Sequence, residues 1–219
     1  MMENAAPKAR RSRLAPALLP EFYERDTERV ARDLLGAILE CRTADGVAAG
    51  RIVETEAYIG EHDLACHAAA GRTARTAPLY GPPGIAYVYF IYGMYWCFNA
   101  VTRAENEPSA VLVRAVEPVA GVDLMRSRRA KARRDIDLTN GPGKLCLALG
   151  IDGRHNRLSL ERSPVVIRQG DAVPDRDVIV TPRIGIRESA DWPLRWLIAD
   201  NPYVSKTPPS FPRIRLADK

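Results

Sequence analysis

The sequence contains no Cys-x-x-Cys pair, no Gly-x-Ser-x-Gly elbow, no Walker-type phosphate loop and no apolar run approaching a membrane span. Each absence removes a class of function. Cys41, Cys66, Cys97 and Cys146 stand far apart, which fits reduced thiols in a cytosolic protein better than a disulfide frame or a zinc ribbon. Without a nucleophile elbow, and with no cysteine in an activating setting, a catalytic triad is disfavoured. Lys8, Arg10, Arg11 and Arg13 precede "APALL", which is too short for a secretory core, so neither a signal peptide nor a membrane association is expected. His62, Cys66 and His67 lie close together, but paired ligands from a second segment and the Pro-Cys-x-x-Cys run of a deaminase are missing. No metal is expected.

What is present suffices for one compact domain. The chain has 219 residues, 46% of them hydrophobic, enough to bury a substantial core without disulfides or metal. Residues 1–19 read as a basic, mobile tail and 20–219 as the domain. The net charge is +5, and "RSRRAKARR", Arg126 to Arg134, holds six basic residues and no acid. Such a run suits a polyanionic partner, because each neutralised phosphate releases counterions, and it equally suits a solvated helix face.

Along the chain, Asp26 predicts an N-cap for a helix over "TERVARDLL", followed after Gly36 by a strand at "AILECR" and a turn at "TADG". Arg51 to Tyr58 alternates like a half-buried strand, and a short helix is expected around "DLACHAAAGRT". "GPPG" breaks the chain before "IAYVYFIYGMYWCFNAVT", which reads as two strands reversing at Gly93, and "AVLVRAVEP" reads as a third. Helices are expected at "VAGVDLMRSRRAK" and, opened by Pro142, at "PGKLCLALG"; short strands follow at "PVVIRQ", "VIVTPRIGI" and "PLRWLIA". Neighbouring hairpins with peripheral helices indicate an α+β domain on a mostly antiparallel sheet.

Two carboxylates, Glu54 and Glu56, a tyrosine at 58 and a histidine at 67 crowd one strand and its following loop. With nucleophile, metal and phosphate-loop chemistry set aside, general-base catalysis by a carboxylate beside stacking groups remains. Tyr87, Tyr89, Tyr92 and Tyr95 place half of the eight tyrosines in nine residues. Tyr87 reads as a core ring. Tyr92, beside Gly93 at a reversal, suits insertion between nucleic-acid bases.

Together, "RIVETEAY", His67, "GRT" from Gly71, "YVYFIYGMYWCFN", "VLVRAVEP" and "NGPGKLCLALGI" resemble the alkyladenine (3-methyladenine) DNA glycosylase family of the mammalian type, in its bacterial form. The similarity covers roughly Pro20 to Ser205, with the blocks in order. The resemblance implies a single α+β domain with a curved antiparallel sheet and a protruding β-hairpin, a pocket for a flipped base, and no metal or organic cofactor. It implies a monomer in the bacterial cytoplasm, acting on duplex DNA at the nucleoid and excising alkylated purines such as 3-methyladenine and 7-methylguanine. Residue by residue it makes Glu56 the general base, Tyr58, His67 and Tyr89 the groups that sandwich the base, and Asn99 the discriminator against the amino group of guanine. Tyr92 becomes the intercalating wedge with Met94 and Tyr95 beside it in the minor groove, while Arg72, Thr73, Arg114 and Lys144 become contacts to the DNA backbone.

A cationic base needs no general acid, whereas hypoxanthine or ethenoadenine would need protonation or a compensating hydrogen bond. No lysine falls in the Glu56 to Tyr58 block, which favours a water nucleophile and a monofunctional enzyme. The sequence departs from the family pattern at Thr76 and Leu79, where Asn and Met are expected, so loop contacts beside the pocket are open. A non-enzymatic binding module that uses the aromatic strand as a stacking platform is the competing reading, and a formyltransferase-like accessory domain a third.

Overall fold

The computed structural model describes residues 15–218. The part of the expected tail that spans 1–14 lies outside the described residues. The rest of it is not a tail. Leu18 N–H donates to Ile167 O at 2.8 Å, Gln169 N–H donates to Pro16 O at 2.9 Å and Ala17 bridges Arg168, so this segment pairs along a strand of the domain.

The strands are β1 (Ile38–Thr43), β2 (Gly46–Ile59), β3 (Ala86–Ile91), β4 (Tyr95–Val101), β5 (Ser109–Ala120), β6 (Val165–Arg168), β7 (Val178–Thr181), β8 (Arg195–Ile198) and β9 (Ile214–Arg215). They form one sheet in the order β3-β4-β5-β2-β8-β7-β9, with β1 joining β2 to β6, and every pairing is antiparallel. Among the described residues four short α-helices accompany it: α1 (Pro20–Tyr23), α2 (Thr27–Asp33), α3 (Val122–Arg128) and α4 (Pro142–Leu149). This is the expected α+β domain.

Local chemistry sets the boundaries. Asp26 accepts from the N–H groups of Glu28 and Arg29 and so caps α2, and Pro142 opens α4, whose end is marked by left-handed Gly150 at φ 80°. The helix expected over "VAGVDLMRSRRAK" is shorter. β5 runs on to Ala120, and Gly121, at φ 71° with the place of a Cβ only 2.3 Å from Val47 O, ends the strand before α3 can start. Around His67 the expected helix is a single 3-10 turn, His67–Ala70.

β2 is the spine. Its first half pairs with β1 as far as Arg51 and its second half with β8 from Glu54 to Glu56, while β5 follows its other edge. Breaks in the β2–β5 register fall at Ile52/Glu54 and Glu54/Thr55. From Ile52 to Ala57 every residue of β2 is buried. The sheet is therefore covered on both faces where the two glutamates sit, and both carboxylates must find partners inside the protein. All four cysteines are buried and unpaired.

Candidate active site

A cavity of about 510 Å³ opens where the end of β2 meets β3, β4 and the start of α4. Strand alternation builds one wall. In the β3–β4 register Tyr87 faces Asn99, Tyr89 faces Cys97 and Ile91 faces Tyr95, so these side chains share one face, and all six line the cavity.

Glu56, fully buried on β2, does not itself line the cavity but is bonded to residues that do. Three donors hold its carboxylate. The Tyr58 hydroxyl (2.8 Å) and Arg114 Nη1 (3.1 Å) donate to Oε2, and Ile184 N–H donates to Oε1 at 2.7 Å. All three donor residues line the cavity. Beside it, Glu54 accepts from Arg114 Nε, Arg195 Nε, and both the N–H and hydroxyl of Ser205. Burial works against the Glu54 charge, but Arg114, Arg195 and Ser205 outweigh it and hold the carboxyl below its ordinary range. Burial likewise works against the Arg114 charge, and Glu56 and Glu54 overcome it, keeping the guanidinium charged.

The expected stacking groups converge. Tyr58, His67 and Tyr89 all line the cavity. His67 and Tyr89 meet edge to face with centroids 4.5 Å apart, and the Tyr87 hydroxyl and His67 Nδ1 share a 2.8 Å hydrogen bond. Burial, reinforced by the charge of Arg75, lowers the His67 pKa and favours a neutral imidazole. Burial raises the Tyr58 hydroxyl well above its ordinary pKa, with Glu56 adding to the effect, and pushes Tyr87 up to about 12. These hydroxyls stay protonated near neutral pH. Tyr87 is 2% exposed, which suits a core ring, yet its edge also forms pocket wall. Asn99 donates from Nδ2 to Tyr87 O at 3.0 Å, an anchor that fixes the amide at the cavity.

At the reversal between β3 and β4, Tyr92 (φ 54°) and Gly93 (φ 67°) both adopt left-handed backbone, and Met94 N–H closes onto Ile91 O at 3.2 Å. Two successive positive φ values are the signature of a primed hairpin turn. Tyr92 is 77% exposed and Met94 64%, whereas Tyr95 turns back against α4, where a Cβ on Gly143 would lie 2.8 Å from it.

The four basic and hydroxyl positions separate. Arg114 is not a surface cation: its side chain, almost wholly buried at the cavity wall, is ion-paired with Glu54 and Glu56, which corrects the expectation of a contact to DNA phosphates. The reason is that β5 is buried through its whole first eight residues, so an arginine in the middle of it must neutralise the glutamates of β2. Lys144 sits in the first turn of α4 at the cavity rim, its Nζ donating to Asn140 Oδ1 at 2.6 Å. Arg72 lies over the Tyr80 ring, and Thr73 is tied to Thr76. The two departures from the family pattern are both buried. Thr76 Oγ1 accepts from Thr73 N–H and donates to Gly71 O, closing the loop, while Leu79 lines the cavity. In the basic run, Arg126 pairs with Asp123 and Asp135, Arg128 with Asp45 and Arg134 with Asp137.

Several residues of the site were not singled out by sequence. Arg195 and Ser205 complete the shell of Glu54, and the Ile184 N–H reaches Glu56 from a segment held by Arg183, whose guanidinium pairs with buried Asp63 and donates to Ala57 O. Arg183 also backs the Tyr58 ring at 4.7 Å. Among the described residues no group of three His, Cys, Asp or Glu side chains could hold a metal.

The profile of a family described as methylpurine-DNA glycosylase matches residues 21–202. A protein of Myxococcus xanthus (strain DK1622) is 51% identical over 195 residues, which span 87% of this chain and 95% of that protein. One from Methanocella arvoryzae is 47% identical, covering 89% of this chain and 98% of its own, and one from Legionella pneumophila (strain Paris) is 45% identical, covering 87% and 98%. All three bear the name "Putative 3-methyladenine DNA glycosylase".

Proposed function

The chain belongs to the methylpurine-DNA glycosylase family, hydrolases of the N-glycosidic bond, and from that premise we propose that its cavity receives an alkylated purine flipped out of duplex DNA, with Glu56 as the general base. The observation that carries this reading is the set of three cavity-lining donors on a single buried carboxylate. A carboxylate offers about four lone-pair sites. Tyr58 and Arg114 occupy two on Oε2 and Ile184 one on Oε1, so one site on Oε1 is left for a water.

In the reaction that water attacks the anomeric carbon, Glu56 takes its proton, and the bonding pair of the glycosidic bond leaves with the base, giving an abasic site. Tyr58, Tyr89 and His67 stack on the purine, each neutral and therefore costing little to desolvate. Stacking returns about 1–3 kcal/mol per base, enough to balance the few kcal/mol spent in unstacking the nucleotide. Asn99, pinned by Tyr87 O, presents its amide to the base edge. Tyr92, with Met94 beside it, fills the hole left in the stack, and Lys144, Arg72 and Thr73 face the backbone. Arg114 serves Glu56 as a positioning residue.

The protein works as a monomer on nucleoid DNA in the cytoplasm. No helix among the described residues is long and apolar enough to cross a membrane. The test is single-turnover base release from duplexes that each carry one defined lesion, with abasic-site formation as readout. Binding of lesion duplexes without release of any base would leave only the binding-module reading.

A further inference from the structure

We propose that Arg75 is a specificity-determining residue that biases the pocket against positively charged bases and toward neutral ones. The inference rests on reading the cavity as the site of an extruded base. Its starting point is that both stacking tyrosines already carry a guanidinium: Arg183 Cζ lies 4.7 Å from the Tyr58 ring centroid and Arg75 Cζ lies 5.6 Å from that of Tyr89. The two cations differ in one respect. Arg183 is neutralised by buried Asp63, whereas Arg75 forms no ion pair with a carboxylate among the described residues.

Most of the other charges around the cavity are matched. Glu54 and Glu56 are matched by Arg114 and Arg195, and Glu61, which accepts from the Tyr80 hydroxyl, is matched by Arg72 over the same ring. Lys144 at the rim is bonded to neutral Asn140. The unmatched charge near the pocket is therefore positive, and Arg75 is the part of it that lies over a stacking ring. Its field is felt by its neighbours, since it favours the neutral form of His67.

A purine alkylated at N3 or N7 enters with a positive charge and must share the Tyr89 ring with a guanidinium that already uses its quadrupole. Hypoxanthine, being neutral, meets no such repulsion. Because Arg75 is exposed, solvent screening keeps the effect modest.

The experiment compares single-turnover excision at saturating enzyme from duplexes bearing one 7-methylguanine or one hypoxanthine, for the wild type, Arg75→Gln and Arg75→Lys. Arg75→Gln is expected to raise the ratio of the 7-methylguanine rate to the hypoxanthine rate about fivefold, the size of a screened charge–charge term, and Arg75→Lys to keep the wild-type ratio. A ratio unmoved by Arg75→Gln overturns the proposal. So does an equal loss on both duplexes with a flatter salt dependence of binding, which would make Arg75 a phosphate contact. Excision of 7-methylguanine but not hypoxanthine by the wild type would overturn the bias toward neutral bases, and absence of excision from both duplexes would overturn the base-excision reading itself, and this inference with it.

Discussion

The Tyr58 hydroxyl donates to Glu56 Oε2 at 2.8 Å, so the residue proposed to stack on the base also holds the proposed catalytic carboxylate. The two duties can be separated by mutation. Glu56→Gln removes the proton acceptor and places an amide against three donors, so excision should fall by about 10²–10⁴ while binding of lesion duplex persists. Tyr58→Phe keeps the ring, so its excision should fall less, with binding again retained. Single-turnover rates and fluorescence anisotropy read the two quantities, and a Glu56→Gln enzyme that excised at the wild-type rate would remove Glu56 from the role of base.

Arg114 and Lys144 should part company in salt. Losing Arg114 leaves Glu56 without its charged partner and Glu54 with Arg195 alone, so Arg114→Ala should lower stability by about 3–5 kcal/mol and leave the salt slope of DNA binding unchanged. Lys144→Ala should leave the melting temperature nearly unaltered and flatten the log–log slope by about 0.9. Binding isotherms over a salt series together with thermal unfolding measure both, and a flattened slope in Arg114→Ala would return that arginine to the phosphate contacts.

Tyr92 is exposed at a turn, so truncating it costs little buried area. Tyr92→Ser should change stability by less than about 0.5 kcal/mol. Its effect should appear only with DNA, as weaker flipping of a fluorescent base analogue. A core ring would instead cost about 3–5 kcal/mol in the free protein.

His67 gives stability a pH dependence of definite sign. Its folded pKa is lowered by burial and by Arg75, so between the folded value and the ordinary histidine value near 6.5 the unfolded chain binds more protons. Stability should therefore rise with pH through this window and be lost as pH falls below about 6.5. Urea midpoints at about pH 5.5 and 7.5 should differ less in His67→Gln than in the wild type. An equal difference in both proteins would assign the slope to other groups.

Much of this was legible in the residues. The Asp26 cap, the Pro142 and Gly150 bounds of α4 and the reversal at Tyr92 depend on neighbours a few positions away, and local chemistry decides them. The pocket face of β3 and β4 follows from alternation once the turn is placed. The charge network was not legible, because Arg114, Arg183 and Arg195 reach their acids across 58 to 141 residues and only the sheet order brings them together. For Arg114 a signal did exist: it stands inside the nearly continuous apolar run "AVLVRAVEP", where an arginine has no exposed face to occupy. The basic run misled in the opposite way, since the acids that pair with Arg126 and Arg134 lie just outside the nine residues quoted for it.

Tyr89 and Tyr92 stand on one strand and its turn, three positions apart. At about 3.3 Å per residue this separates them by roughly 10 Å along the ribbon. On the proposed reading the hairpin acts as a ruler whose divisions are peptide units, fixing how far a probing tip can advance while a base is seated further down. Adding one residue to β3 between the two would exchange the faces of the strand, so that the seat and the tip could no longer serve the same nucleotide.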